Sequence, residues 1–197
     1  MNAPAGEFAT ELPAILDEYA VHGNVTELRR RLEAAVQGVT GDALRAAVEP
    51  YRDNPEVIAP VYERIVELEP TNAQALVILG NAWWLQGRGP EPVGELASRA
   101  IAADSSHRGA WHLWALSESE PRRRVQRWLQ VSERFPIDDL ALAAMADNAA
   151  AVAGAERDYE MLDLAIAGFE RLLQRASQPA QREAVESALR SLRVWRL

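Results

Sequence analysis

The sequence predicts an all-α chain built as a solenoid of about five antiparallel helical hairpins with one closing helix. Three observations predict it. Alanine, leucine, arginine and glutamate dominate the 197 residues, and these are strong helix formers. Alternating apolar–polar runs, which a half-buried strand needs, are hard to find. Turn signals recur at short intervals: Gly23-Asn24, Thr40-Gly41, Asn54-Pro55, Pro70-Thr71-Asn72, Gly87-Arg88-Gly89-Pro90, Asp104-Ser105-Ser106, Pro121, Pro136 and Ala176-Ser177-Gln178-Pro179. They bound segments of about 10 to 18 residues, the length of ordinary helices. Asn54 before Pro55 joins a good N-cap to the first-turn proline position. Pro60 inside the same segment predicts a late start or a bend there.

The hairpins repeat one another. After Leu68-Glu69-Pro70, a first helix carries Ala75-Leu76, Leu79-Gly80 and Trp83 and ends at Gly87. Its partner carries Val93, Ala97 and Ala100-Ile101 and turns at Asp104-Ser105. The next hairpin repeats this with Ala110-Trp111 and Trp114-Ala115, then Trp128, Val131 and Pro136. Another has Leu142 and Met145-Ala146, then Ala165, Phe169, Leu172-Leu173 and Ser177. Upstream, Leu12, Ile15-Leu16, Tyr19 and Gly23 pair with Leu28, Leu32 and Ala35-Val36, and a shortened hairpin with Tyr62 runs from Gly41 to Pro70. This pattern resembles the tetratricopeptide repeat (TPR), which places a large residue, a Leu-Gly pair and an aromatic on helix A of each hairpin. The resemblance is closest over 73–136 and fainter over 8–70 and 137–178. It implies a right-handed α-solenoid. Residues 1–7 are expected to be a flexible N-terminus.

Packing gives the spacing its physical sense. Each hairpin alone leaves an apolar face exposed, so neighbours must stack to bury it. Gly80, Ala115 and Ala146 are read as letting helix A approach its partner helix, and Tyr62, Trp128 and Phe169 as filling the gaps between hairpins. Residues 179–197 read as a capping helix, with Val185, Ala188, Leu189, Leu192 and Trp195 on one stripe and Arg182, Glu183, Glu186, Arg190, Arg193 and Arg196 opposite. The step from Pro136 to Ser177 exceeds the usual spacing of about 34 residues. It predicts extended helices or a loop near Gly154 to Asp158.

Composition excludes much chemistry. With no cysteine there is no disulfide, zinc-thiolate site, iron–sulfur cluster or thiol nucleophile. All 21 basic residues are arginine; without lysine there is neither a Schiff base nor a P-loop. A net charge of −8 argues against a general nucleic-acid binder. The charge is uneven. Residues 1–70 hold 13 acidic and 6 basic side chains, whereas 121–136 hold 1 and 5. Met1 to Pro13 lacks the charge and apolar core of a signal peptide, and no stretch approaches the roughly 20 apolar residues of a membrane span. A cytoplasmic location is therefore expected, or a periplasmic one if an upstream signal was removed. His107 and His112 are five residues apart, off the shared face of an i, i+4 ligand pair. No hydrolase, zincin, dinucleotide or calcium motif occurs. No catalytic residue, metal site or cofactor is expected, and the chain reads as a non-enzyme.

The expected work is binding other proteins. In TPR arrays the inner face is built mainly by helix A, and matching positions here are Gln74, Val77, Asn81 and Trp84, then His112 and Leu116, then Leu140, Ala143, Asp147 and Ala150. Asn81 follows Leu79-Gly80, where peptide-binding TPR proteins often carry an asparagine; its amide both donates and accepts. Val77, Trp84 and Leu116 would supply an apolar anchor. Trp83, Trp111, Trp114 and Trp128 are read as core, and Trp195 as pinning the last helix. Arg122, Arg123, Arg124 and Arg127 form the strongest local charge feature. They could hold an acidic partner, a phosphate or a headgroup, or pair locally with Glu118 and Glu120. Two narrower readings stand beside a general scaffold with an unidentified peptide or protein partner. Residues 87–136, with Leu96, Arg99-Ala100-Ile101, Ala110-Trp111-His112-Leu113 and Trp128-Leu129, are similar to the TPR domains of cytochrome c-type biogenesis proteins, which bind an apocytochrome tail. The acidic N-terminal half and the arginine run point instead to self-assembly into a homo-oligomer.

Overall fold

The computed structural model describes residues 3–195. Its helices start where the turn chemistry places them. Asn24, Asn54 and Asn72 hold extended backbone and accept from the amides of Glu27, Glu56 and Ala75. Glu120, Asp138 and Asp158 do the same with carboxylates, each accepting from two first-turn amides. Donors that open a helix without intrahelical partners are thereby satisfied.

Among the described residues there are eleven α-helices: α1 (Ala3–His22), α2 (Val25–Ala35), α3 (Gly41–Val48), α4 (Pro55–Leu68), α5 (Ala73–Leu85), α6 (Pro90–Ala103), α7 (Arg108–Leu116), α8 (Pro121–Arg134), α9 (Asp139–Glu156), α10 (Tyr159–Arg175) and α11 (Pro179–Val194). A single 3₁₀ turn, Glu49–Tyr51, follows α3. The chain is all-α and of the α-solenoid class. It divides into two compact units, Met1–Leu113 and Trp114–Leu197.

In the first unit α1 packs on α2 and α3, both of these pack on α4, and α4 and α5 continue the series to α6. One core runs from Phe8 and Leu12 through Leu32, Leu44 and Ile65 to Leu76 and Ala110. In the second unit α8 packs on α9, α9 on α10, and α10 on α11. Tyr62, Trp128 and Phe169 are 6%, 6% and 7% exposed, so the three helix B aromatics are equivalently buried.

Several expectations need correction. Of the expected flexible N-terminus, Met1 and Asn2 lie outside the described residues, and α1 begins at Ala3. The late start expected from Pro60 is absent, because α4 begins at Pro55 on its Asn54 cap. Gln86, at the end of α5, donates to the Pro55 carbonyl at 3.1 Å and to Glu56 at 3.0 Å, tying that first turn down. Of the alternatives between Pro136 and Ser177, extended helices are what the chain forms. α9 has 18 residues, α10 has 17, and only Arg157 and Asp158 separate them.

The small residues work differently from one another. The tightest neighbour of Gly80 on α5 is not its hairpin partner α6 but α7, where a Cβ would come within 2.3 Å of Leu113 Cδ2. In the second unit the partner helix is indeed the neighbour. A Cβ on Gly168 of α10 would lie 2.9 Å from both Ala146 Cβ and Met145 Cε of α9. Of the four tryptophans expected in the core, only Trp128 is buried. Trp83, Trp111 and Trp114 are half-buried, because their rings keep polar or cationic partners at the surface.

Gly80→Ala therefore sets two effects against each other. Alanine favours a helix interior by about 1 kcal/mol, whereas overpacking costs about 1–3 kcal/mol. We expect a net loss of about 1 kcal/mol by urea denaturation. In a Leu113→Ala background the same change should be stabilising, because the colliding methyl group is gone.

Candidate functional site

A cleft of about 380 Å³ opens in the first unit between the 3₁₀ turn after α3, the start of α4, and α5. Its geometry follows from helical spacing. Gln74, Ile78, Asn81, Ala82 and Leu85 all line it from α5, recurring at i, i+4, i+7, i+8 and i+11 on one face. Val48, Ile58, Tyr62 and Ala82 are buried and form the apolar floor, while Glu49, Arg52, Asp53, Gln74, Asn81 and Leu85 stand around it. Burial pushes the Tyr62 phenol above its ordinary value, so its hydroxyl stays protonated across the neutral range.

The rim groups differ in availability. Gln74 Oε1 lies 2.9 Å from His107 Nε2, and the Ala110 amide donates to His107 Nδ1 at 3.3 Å. His107 thus serves α7 as a cap rather than as a free surface group. Arg52 pairs with Glu49 at 3.2 Å. Asn81 is exposed and makes no hydrogen bond among the described residues, so both halves of its amide stay open. An apolar floor with a few convergent polar groups is the usual makeup of a ligand cleft.

The expected groove residues separate. Gln74 and Asn81 share this cleft, with Ile78 and Leu85, four residues after each, which the same periodicity could have included. Glu49, Arg52 and Asp53 reach it from a 3₁₀ turn and its exit, which no helical pattern shows. Val77 is not a lining residue. It is 5% exposed in the core, and a Cβ on Gly109 of α7 would meet its Cγ1 at 3.3 Å. Trp84 lies seven residues beyond Val77 on the same flank of α5 and is exposed. His112 is half-buried on α7. In the second unit Leu116, Ala143 and Ala150 are half-buried, while Leu140 and Asp147 are exposed. Desolvation by the surrounding α-helical surface pushes the Asp147 carboxyl above its ordinary value.

The arginine run does not form one open anion site. Arg122 reaches Glu156 at 2.6 Å and Asp158 at 2.5 Å. Arg127 pairs with the buried Glu118 at 2.8 Å, donates to the Trp114 carbonyl, and stacks 4.4 Å from that ring. Arg123 lies 3.6 Å from Glu120, and Arg124 is half-buried with its Nε enclosed. The reason is partly helical geometry, since residues 122, 123 and 124 leave α8 about 100° apart, and partly local pairing, since Arg123 and Arg127 share a face but meet Glu120 and Glu118.

Two carboxylates that the sequence reading did not place in a site tie elements of the first unit together. Glu63 of α4 accepts from Arg29 of α2 at 2.7 Å, from Trp83 Nε1 at 2.9 Å and from Arg88 at 3.0 Å, and Arg88 stacks 4.8 Å from the Trp83 ring. Glu69 accepts from Arg45 through both oxygens, at 3.0 and 2.9 Å, and from Asn72 at 2.7 Å. A Cβ on Gly41 would collide with Glu69 Oε1, so only glycine there leaves the pair room. Arg45 above all, and then Asn72, hold the Glu69 carboxyl below its usual range. No group of three or more histidine, aspartate or glutamate side chains is placed to hold a metal among the described residues. No helix among them is long and apolar enough to cross a membrane.

Stacked helical hairpins with buried helix B aromatics and a cleft lined by helix A define a helical-repeat scaffold of the TPR fold. No family model matches the sequence, and neither does any curated protein. Solved structures do match. The crystal structure of MamA superposes with a TM-score of 0.60 at 18% identity, over 82% of this chain and 96% of that one. TTC0263, a thermophilic TPR protein of Thermus thermophilus, superposes at 0.56 with 15% identity, over 92% and 98%. A double mutant of MamA RS-1 superposes at 0.55 with 13% identity, over 92% and 96%. At these identities the likeness is one of fold.

The depressed Glu69 carboxyl predicts acid sensitivity of a definite sign. A carboxyl whose folded value lies below its unfolded one adds stability above the unfolded value, and loses it as pH falls through the folded one. Stability should therefore drop between about pH 5 and pH 2. Glu69→Gln should flatten that slope in urea titrations at successive pH values.

Proposed function

We propose that the chain is a non-catalytic protein–protein interaction scaffold that takes a peptide or partner helix in the cleft of the first unit. The observation that carries this reading is the open Asn81 amide, set above an apolar floor of Ile58, Tyr62 and Ala82. A side-chain amide can donate to and accept from a peptide backbone without reading its sequence. The neighbouring apolar surface gives the energy, because burial is worth about 25 cal/mol per Å² of apolar area. Leu85, 70% exposed at one end of the cleft, supplies the anchor that a bound side chain would cover. Gln74 orients on His107 and borders the other end.

The test is a display selection of random peptides of about 12 residues on the full chain, followed by affinity measurement of the selected sequences. Asn81→Ala and Leu85→Asp should each weaken binding by about tenfold, or about 1.4 kcal/mol. Both positions are exposed, so thermal unfolding should be unchanged. Selected peptides that bind wild type and both variants equally would reject the cleft. Trp84→Ala, on the adjacent flank of α5, should leave folding intact and affect only ligands long enough to reach it.

A further inference from the structure

A second cleft, of about 450 Å³, opens in the unit Trp114–Leu197 where α9 ends and α10 begins, lined by Ala153, Gly154, Arg157, Asp158, Tyr159, Leu162 and Trp195. Two of its walls are exposed aromatic rings, Tyr159 at 64% and Trp195 at 51%. Trp195 stands just beyond α11 with one ring edge over Gly154, where a Cβ would meet it at 3.3 Å. Glycine at 154 thus sets how closely the ring approaches α9.

Arg157 stands two residues before Tyr159 and borders the same space. It closes α9 with φ of 56° and ψ of 42°, and among the described residues it alone has positive φ without being glycine. Gly23, Gly38, Gly87 and Gly89 take the other positive-φ positions. A Cβ is disfavoured in that conformation, and glycine is the usual choice at a helix end of this type. The arginine is therefore kept where backbone chemistry prefers glycine.

Its guanidinium also lacks a direct partner among the described residues. Glu156 and Asp158 flank it in sequence, yet both are taken by Arg122 of α8, and Asp158 further caps α10 through the amides of Glu160 and Met161. The Arg157 guanidinium makes no hydrogen bond or ion pair among the described residues. Glu160 in the first turn of α10 is exposed and is not engaged by Arg122.

We infer that this cleft binds a short acidic segment of another protein that carries an aromatic side chain. Its carboxylate meets the Arg157 guanidinium, whose planar fork suits two parallel hydrogen bonds. Its ring enters the space bordered by Tyr159 and Trp195, where offset or edge-to-face contact is favoured. One unpaired guanidinium, in a lining that also holds the Asp158 carboxylate, suits a single carboxylate rather than the dense charge of a phosphate backbone. The site is independent of the cleft in the first unit.

The experiment is NMR on the full ¹⁵N-labelled chain, following the indole N–H signals, with that of Trp195 assigned through Trp195→Phe. The probes are acetyl-Glu-Asp-Phe-Asp-amide and, as the charge-reversed control, acetyl-Lys-Lys-Phe-Lys-amide. The acidic peptide should shift the Trp195 signal saturably and the lysine peptide should not. Arg157→Gly should weaken the acidic peptide by about tenfold or more. That variant should keep or raise the Tm, since glycine suits the left-handed backbone, so weaker binding could not be blamed on unfolding. The inference is overturned by no saturable shift at Trp195, by equal binding of the lysine peptide, or by unchanged affinity in Arg157→Gly. Asn81→Ala should leave this titration unaltered, which separates its outcome from that of the first cleft.

Discussion

Close approach between successive helices is the constraint on which the rest of this structure depends. No helix here buries its apolar face alone; each is covered by a neighbour that must come near enough to exclude water. Where the approach is tightest, one side contributes a glycine and the other a branched, sulfur-containing or ionised side chain. Gly80 receives Leu113, Gly168 receives Met145 beside Ala146, and Gly41 receives the Glu69 carboxylate. Interiors pack near crystal density, so one added methyl group at such a point must displace something. The helix B aromatics complete the same scheme by filling the volume that small residues do not.

The clefts are consequences of this packing. The first exists because α3 is only eight residues long and ends in a 3₁₀ turn. The Asn54-Pro55 cap then starts α4 in a new direction, and the space left open is bordered by one face of α5. The second exists because α9 and α10 are joined by a turn of two residues, and because a ring from the end of α11 reaches back to Gly154. Both are openings at helix ends, where regular side-chain interdigitation stops. The ion pairs of Glu63, Glu69 and Arg122 lie near these openings and tie separate helices together. Glu63, Glu69 and Asp158 each accept from more than one donor, which holds them in place more firmly than an isolated surface pair.

Much of the fold was legible because it rests on local chemistry. Asparagine and proline at the turns announce helix starts through capping and a preset φ, and those starts are found at Asn24, Asn54 and Asn72. Less of the site was legible. Val77 and Asn81 are one helical turn apart and read alike in a pattern of helix A positions. Only the arrival of α7 buries the first and leaves the second open. The arginine run was a strong signal for the same reason that it misled: sequence neighbours look like a patch, but successive residues on a helix diverge by about 100°. Arg157, by contrast, makes no ion pair among the described residues although it adjoins two carboxylates in the sequence, because Arg122 engages both.

Local chemistry alone was enough to set most helix limits, the repeat that stacks the helices, and the exclusion of thiol, lysine and metal–thiolate chemistry. These follow from propensity, capping and composition, none of which needs a distant partner. Folding in three dimensions was needed to settle which glycine faces which helix, which groove residues stay open, and which carboxylates the arginines meet. Those outcomes depend on side chains that meet across separations of 20 to 36 positions of the chain, as Trp83 meets Glu63 and Arg122 meets Asp158. Coulomb and packing energies act at a few ångströms, and it is the stacking of hairpins that brings such positions within that range.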